Sequence, residues 1–134
     1  MRELYADDYY RLAVDERGIV HLTRSSKVAE DLQAFSSCLE NVEAAVEREL
    51  GPGGRGPGIL IDSRDVRARN DEAFEEGTRA YRQKIREAFE RTAVLVRTEI
   101  GKLHIARLNR DDGTNTRTFS DMDEALAYLT DTRT

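Results

Sequence analysis

The apolar positions of this chain follow two different periods. Two segments, Tyr9–Asp15 and Ile19–Thr23, are rich in β-branched and aromatic residues and alternate roughly between apolar and polar positions. The segment Glu16–Gly18 between them is short and supplies a glycine for a turn that needs positive φ. This pattern predicts an antiparallel β-hairpin near the start of the chain.

After the hairpin, apolar residues recur every three or four positions, which predicts an amphipathic helix of about six turns. Ser25 or Ser26 is placed to cap this helix, and Glu30 and Asp31 then lie near the positive end of its dipole. The predicted apolar stripe consists of Val28, Leu32, Phe35, Leu39, Val42, Val46 and Leu50.

A run of glycine and proline, residues 51–58, ends the helix because neither residue type continues a helix easily. A phosphate-binding loop would need a preceding strand and a Lys-Ser or Lys-Thr pair. Here a helix precedes the run and the lysine is missing, so we interpret the run as a flexible connector.

Two short apolar runs, Gly58–Asp62 and Ala93–Val96, predict strands that are buried on both faces of a sheet. Between them, Asn70 or Asp71 can cap a second amphipathic helix. Buried strands of this kind are usually parallel, with the helix as their crossover connection. The predicted stripe of the second helix consists of Phe74, Thr78, Tyr81, Ile85, Ala88 and Phe89.

The last third of the chain completes the alternation. Residues 100–110 fit a helix or a strand, and a helix is favoured because parallel strands need a crossover. Thr116–Phe119 predicts a short strand, and Ser120 starts a segment like a capping box before a final helix. The order β–β–α–β–α–β–α–β–α predicts one α/β domain over residues 1–134 with a core at about 9–130. Its single mixed sheet starts with an antiparallel hairpin and continues with mostly parallel strands.

Composition and charge narrow the class of protein further. The net charge of −5 argues against nucleic acid as the main partner. Cys38 is the only cysteine, which suits a reducing compartment. The sequence shows no secretory apolar segment and no apolar run long enough to cross a membrane. We therefore expect a cytoplasmic protein that does not act on a membrane.

The order of elements, with the residues that form them, resembles the superfamily of bacterial anti-sigma-factor antagonists and sulfate-transporter C-terminal domains, the STAS or SpoIIAA-like fold. The similarity covers about residues 9–130. It is carried by Gly58–Asp62, by Ala93–Val96 after an amphipathic helix, and by the closing segment 116–129. In that closing segment a short strand ending in Phe, a polar cap and an Ala- and Leu-rich helix follow one another, as is common in this family.

The resemblance implies a non-catalytic module that binds another protein, often a kinase-like regulator, through the surface around the second helix. In many such proteins a serine at the start of that helix is phosphorylated and switches binding. Asn70 and Asp71 stand at the corresponding positions here, and Ser63 lies several residues earlier. The chain departs from the family pattern at this point.

Catalytic residues are not expected. Nucleophilic catalysis needs a serine or cysteine beside a histidine that a carboxylate orients. His21, His104 and Cys38 lie on different predicted elements, with His21 expected as an exposed strand residue and Cys38 as a small core residue. These three residues are also too few and too scattered for a metal site, and no cofactor is expected.

The candidate binding surface is the junction between the first buried strand and the second helix. Ligands of open α/β sheets tend to bind at the carboxyl ends of strands, and loops on a rigid scaffold carry binding residues. We expect a protein partner there, and the alternative is a small anionic ligand held by the arginines. A competing interpretation pairs the arginines with acidic residues nearby, which are Asp65, Asp71, Glu72 and Glu75. A homodimer through the final helix or the hairpin edge is also plausible. The candidate site residues are Asp62, Ser63, Arg64, Arg67, Arg69, Asn70 and Asp71.

Overall fold

The structure is a computed structural model that describes residues 1–27, 31–51, 56–65, 72–98 and 116–130. The predicted element at residues 100–110 therefore lies outside the described residues. The described strands are β1 (Arg2–Ala6), β2 (Tyr10–Val14), β3 (Val20–Arg24), β4 (Gly56–Asp62), β5 (Phe89–Leu95) and β6 (Thr116–Phe119). The described helices are α1 (Leu32–Leu50), α2 (Glu72–Glu87) and α3 (Met122–Thr130).

These strands form one mixed sheet whose spatial order follows the chain from β1 to β6. The strands β1, β2 and β3 pair antiparallel, whereas β3, β4, β5 and β6 pair parallel. The pair β4–β5 lies in the interior of the sheet, in register from Gly56 opposite Phe89 to Asp62 opposite Leu95. The predicted α/β class, with an antiparallel start and a parallel remainder, is confirmed.

Helices pack on both faces of the sheet. On one face, Phe35 and Leu39 of α1 join Ile59 of β4 in a buried cluster that also includes α2. On the other face, Leu129 of α3 packs against Leu60 of β4. Ile59 and Leu60 are consecutive, and their exposed fractions are 0% and 1%. Burial of both faces is the reason that β4 has an uninterrupted apolar run rather than an alternating one.

The edge strand β1 is not predicted by the sequence pattern. Its register with β2 shifts between Glu3 and Tyr5, which marks a bulge. The consecutive residues Leu4 and Tyr5 are both partly buried against the core, so the alternation that identifies a strand is broken within its five residues. Pairing with β2, rather than a local pattern, defines this strand.

The first helix begins later than predicted. Its N-cap is Asp31, whose carboxylate accepts a hydrogen bond from the amide of Gln33. Ser25, one of the two predicted caps, instead donates its hydroxyl to the Asp8 carbonyl, and Lys27 Nζ lies 3.0 Å from the Asp8 carboxylate. Because Ser25 and Lys27 are held by the turn between β1 and β2, the helix starts only after the chain has left this turn.

Two segments assigned elsewhere by the sequence belong to strands. Gly56–Gly58 forms the first part of β4, so this part of the glycine-rich run is not a flexible connector. Phe89 begins β5 and does not end the second helix. Parallel pairing of Gly56 with Phe89 extends both strands beyond their apolar runs. Pro57, which has no N–H, is tolerated because pairing of β4 with β3 begins only at Ile59.

A polar cluster attaches the turn after β1 to α1. One oxygen of Asp7 accepts the amides of Tyr9 and Tyr10 at 2.7 and 2.8 Å. Asp7 also accepts hydrogen bonds from the Tyr5 hydroxyl and from the buried thiol of Cys38, which is a core residue as predicted. Partial burial raises the pKa of Asp7, but these hydrogen bonds outweigh it and hold the pKa below its ordinary value of 3.8.

We expect Asp7→Asn to lower the free energy of unfolding by about 1–2 kcal/mol near neutral pH, because an amide cannot accept all of these hydrogen bonds. The folded pKa of Asp7 is lower than its unfolded pKa. Its carboxylate therefore stabilises the fold above the unfolded pKa, and this stabilisation is lost as the pH falls through the folded value. Denaturant titrations of both proteins from about pH 3 to 7 measure the effect.

The matched control is Asp8→Asn, since the Asp8 carboxylate is exposed and pairs only with Lys27 among the described residues. That change should alter stability by less than about 0.5 kcal/mol at any pH. A cost of Asp7→Asn that stays constant down to the acid end would contradict the role given to the carboxylate.

Candidate functional site

The candidate surface starts where β4 ends. The strands β3, β4 and β5 run parallel, so their carboxyl ends lie at the same edge of the sheet. The amide of Ser63 donates to the Leu95 carbonyl of β5 at 2.8 Å, and Thr23 of β3 lies opposite Asp62. Ser63 thus extends the pairing by one residue, and the loop toward α2 leaves the sheet from a fixed point.

Asp62 and Arg64 form a closed pair at this point. The Arg64 Nε and Nη2 atoms donate to the two Asp62 carboxylate oxygens at 3.0 and 2.8 Å, and the Arg64 amide donates to the same carboxylate at 3.1 Å. Partial burial raises the pKa of Asp62, but the hydrogen bonds and the charge of Arg64 leave it lowered overall. The hydrogen bonds that Arg64 donates to Asp62 in turn raise the pKa of Arg64.

This pairing limits the ability of Arg64 to bind a free anion. Two donors of its guanidinium are directed at a residue of its own chain, in the bidentate arrangement that suits a carboxylate. A free anion would have to displace Asp62 to gain the same contacts. Arg64 is therefore paired with an acidic residue, but this partner is Asp62, which the competing interpretation did not name.

A second ion pair joins two strand ends. Arg97, just after β5, donates to Asp65 in the loop after β4 at 2.9 Å. Both side chains are well exposed, at 69% and 61%. Neither residue is among the candidate site residues, although the shared edge of parallel strands predicts that the segments after β4 and β5 are neighbours. The segments after β4 and β5 thus carry two ion pairs at this edge.

The structure therefore brings together Asp62, Ser63 and Arg64 from the candidate set. The remaining members lie outside the described residues, and their part in the surface stays a prediction. They are Arg67, Arg69, Asn70 and Asp71.

His21 is not the exposed strand residue that the sequence suggested. Its side chain is 12% exposed, and its Nε2 atom lies 2.9 Å from an Asp15 carboxylate oxygen. Partial burial raises the pKa of Asp15, but hydrogen bonds from His21, from Arg17 and from the amide of Ile19 leave it lowered. The turn of the hairpin explains this pair, because it folds Asp15 back beside the neighbouring strand.

The Cys38 thiol and the His21 imidazole, two groups that could take part in nucleophilic catalysis, lie on opposite faces of the sheet. His21 lies opposite Leu60 in the sheet, and Leu60 belongs to the cluster under α3. Cys38 belongs to the cluster on the other face, under α1 and α2. The sheet thus lies between the thiol and the imidazole, so these two residues do not form a nucleophile and base pair.

Two further properties concern the described part of the chain alone. Within it, no cluster of three or more histidine, cysteine or acidic side chains has the arrangement of a metal site. Among the helices whose residues are described, none has the length and apolar character needed to cross a membrane.

Known proteins with this architecture are found by structure and not by sequence. No protein-family model and no curated protein matches the chain. An uncharacterised protein from Shewanella loihica PV-4, of the DUF3478 family with a SpoIIAA-like fold, superposes with a TM-score of 0.59 at 16% identity, over 93% of this chain and 98% of its own. An anti-sigma factor antagonist from Mycobacterium paratuberculosis superposes with a TM-score of 0.57 at 19% identity, over 96% of this chain and 100% of its own.

These similarities define the class of protein. The chain is an α/β protein with a six-stranded mixed sheet in its described part and with the SpoIIAA-like fold. The resemblance inferred from the sequence is thereby confirmed for the fold.

Proposed function

We propose that this chain is a non-catalytic regulatory module that binds a protein partner through the loop after β4 and the start of α2. The observation that carries the proposal is the geometry of this edge, where Asp62, Ser63 and Arg64 are fixed to the sheet and to one another. A charged loop on a rigid scaffold is suited to recognition, because little conformational entropy is lost when a partner binds. The similarity to an anti-sigma factor antagonist supports the same class of function.

A protein partner fits this edge better than a small anion. The charges on Asp62, Arg64, Asp65 and Arg97 form two ion pairs, so these four side chains present no net positive charge to a phosphate or carboxylate. A broad partner surface can match such a mixture of charges, and it gains specificity from the match more than affinity. The small-ligand alternative has no support among the described residues.

Catalysis is not part of this proposal. The thiol of Cys38 is buried, and the sheet separates it from His21. Burial and the bond to Asp7 raise the pKa of the thiol, which disfavours the thiolate that a nucleophile requires. We also propose a cytoplasmic location, since a single free thiol suits a reducing compartment.

The test is a pull-down from a lysate of the source organism, with the wild-type chain and the Asp65→Arg variant as baits. We expect the wild type to retain one protein stoichiometrically and Asp65→Arg to retain at least about tenfold less, because like charges across an interface are strongly unfavourable. Asp65 is 61% exposed, so the change should leave the melting temperature almost unaltered.

Glu3→Arg is the matched control, because Glu3 is 53% exposed and pairs with Arg11 on the edge of the sheet, where β1 is three strands away from β4. It introduces the same type of side chain at a distant site and should retain the partner fully. Equal capture by wild type and Asp65→Arg, or equal loss in both variants, would show that the edge after β4 is not the contact surface.

A further inference from the structure

A groove of about 220 Å³ lies between α1 and α2, on the face of the sheet away from α3. Its apolar lining is supplied by Val46 and Leu50 of α1, by Ile85 of α2 and by Ala88, which follows α2 directly. Polar side chains border this lining on both sides. They are Glu43 and Glu47 of α1 and Lys84 of α2.

The groove lies at the carboxyl ends of both helices. Each helix connects the carboxyl end of one parallel strand to the amino end of the next, so α1 and α2 run in the same direction. Their last residues are Leu50 and Glu87, and the groove is lined from Glu43 to Gly51 and from Lys84 to Ala88. Two helix dipoles therefore place their negative ends beside it, each equivalent to about half an elementary charge.

Within the described part of the chain, one acidic side chain at the groove has no partner. Lys84 Nζ lies 3.6 Å from the Glu43 carboxylate, and Arg2 of β1 pairs with Glu49. The Glu47 carboxylate makes no hydrogen bond or ion pair within the described residues. Two further basic residues, Arg48 and Arg86, stand in the last turns of the two helices, and neither lines the groove. The groove thus combines an apolar lining, an available carboxylate and two helix carboxyl ends.

We infer that this groove receives an arginine side chain from a protein partner. Pockets for drug-sized ligands usually enclose about 300–1,000 Å³, so the groove is the size of a single side chain. An arginine matches both the apolar lining and the carboxylate of the groove, because its aliphatic stem can lie on Leu50 and Ala88 while its guanidinium reaches Glu47. Its planar donors suit a carboxylate, and it is less strongly hydrated than a lysine ammonium. The inference rests on the proposed function, since it supplies an anchor for the same kind of partner at a second place on the surface.

The experiment uses N-acetyl-L-arginine amide as the probe and follows backbone amides by heteronuclear NMR on the full chain. We expect millimolar binding with shifts confined to the amides of Glu47, Leu50, Gly51 and Ala88. The neutral isostere N-acetyl-L-citrulline amide should cause no shifts there, because it keeps the shape and removes the charge. Glu47→Gln should weaken binding of the arginine probe by about threefold or more, whereas Glu3→Gln should leave it unchanged.

Equal shifts with the citrulline probe would overturn the inference, as would shifts spread over all acidic side chains or a titration in which the groove amides do not move. These outcomes are independent of the pull-down with Asp65→Arg, which tests the edge after β4. If the partner is captured but the arginine probe leaves the groove amides unmoved, the groove inference alone fails. If the probe binds in the groove but Asp65→Arg still captures the partner, the proposed contact surface alone fails.

Discussion

Phe35→Ala should lower the free energy of unfolding by about 3–5 kcal/mol, because it removes a large buried ring and leaves a cavity. Phe35 is 2% exposed and packs edge-on against Tyr9, with 5.3 Å between ring centroids, and against Tyr10 at 5.8 Å. The guanidinium carbon of Arg24 lies 4.5 Å from the centre of the Phe35 ring. Loss of the ring therefore also removes the cation–π contact of a partly buried arginine, which adds to the cost.

Urea denaturation followed by circular dichroism measures this effect. Ser37→Ala is the control on the same helix, since Ser37 is exposed and should change stability by no more than about 0.5 kcal/mol. Phe35→Leu should fall between the two, because leucine keeps part of the apolar volume. A cost below about 1 kcal/mol for Phe35→Ala would mean that the helix does not depend on this contact for its position on the sheet.

Gly56→Ala should destabilise the fold by about 1–3 kcal/mol through overpacking, although the sequence pattern places Gly56 in a flexible connector. A Cβ atom at Gly56 would lie 2.7 Å from two carbons of the Phe89 ring and 3.2 Å from a methyl of Leu50. Phe89 is 2% exposed and its ring has little room to move. The free energy of unfolding, again from urea titration, is the quantity to compare.

A double-mutant cycle with Phe89→Leu isolates the cause. If the clash with the ring destabilises Gly56→Ala, the alanine should cost at least about 1 kcal/mol less in the Phe89→Leu background than in the wild type. Strictly additive effects of the two changes would instead assign the destabilisation by Gly56→Ala to the backbone. The contact between Gly56 and the Phe89 ring would then not be its cause.

The interior of the sheet was predictable from the sequence because burial on both faces has a direct signature. Ile59, Leu60 and Ile61 are consecutive apolar residues bounded by glycine and aspartate, and Ala93–Val96 repeats the pattern. Only a strand between two others, with helices on both faces, can bury such a run without exposing backbone polar groups. The stripe of α1 was predictable for a related reason, since one face of a helix packs on the sheet and the other meets water.

Long-range pairing set the limits of those predictions. The strand β1 has a bulge and an edge position, so its local pattern is weak and its pairing with β2 defines it. Phe89 continues a helical stripe in sequence, yet parallel pairing with Gly56 places it in β5. Local periodicity does not contain this pairing, because Gly56 and Phe89 are 33 positions apart.

The candidate surface also has features that the sequence predicts and features that only tertiary contacts determine. Its position at the carboxyl end of β4 follows from the sequence, because the strand and the second helix are both recognisable there. The contacts Arg64–Asp62 and Arg97–Asp65 do not follow, since rotamers and the spacing of strand ends decide which charges meet. These contacts determine whether the arginines are available to a ligand, and at Arg64 they are not.

The sequence by itself determined the α/β class, the interior position of β4 and β5 and the apolar face of α1, because each depends on which residues must leave water. The tertiary structure alone decided where β1 pairs, where β5 begins, which charges neutralise one another and where two helix ends enclose a groove. These features arise between segments that are distant in the chain, and hydrogen bonding and packing between such segments carry no local period.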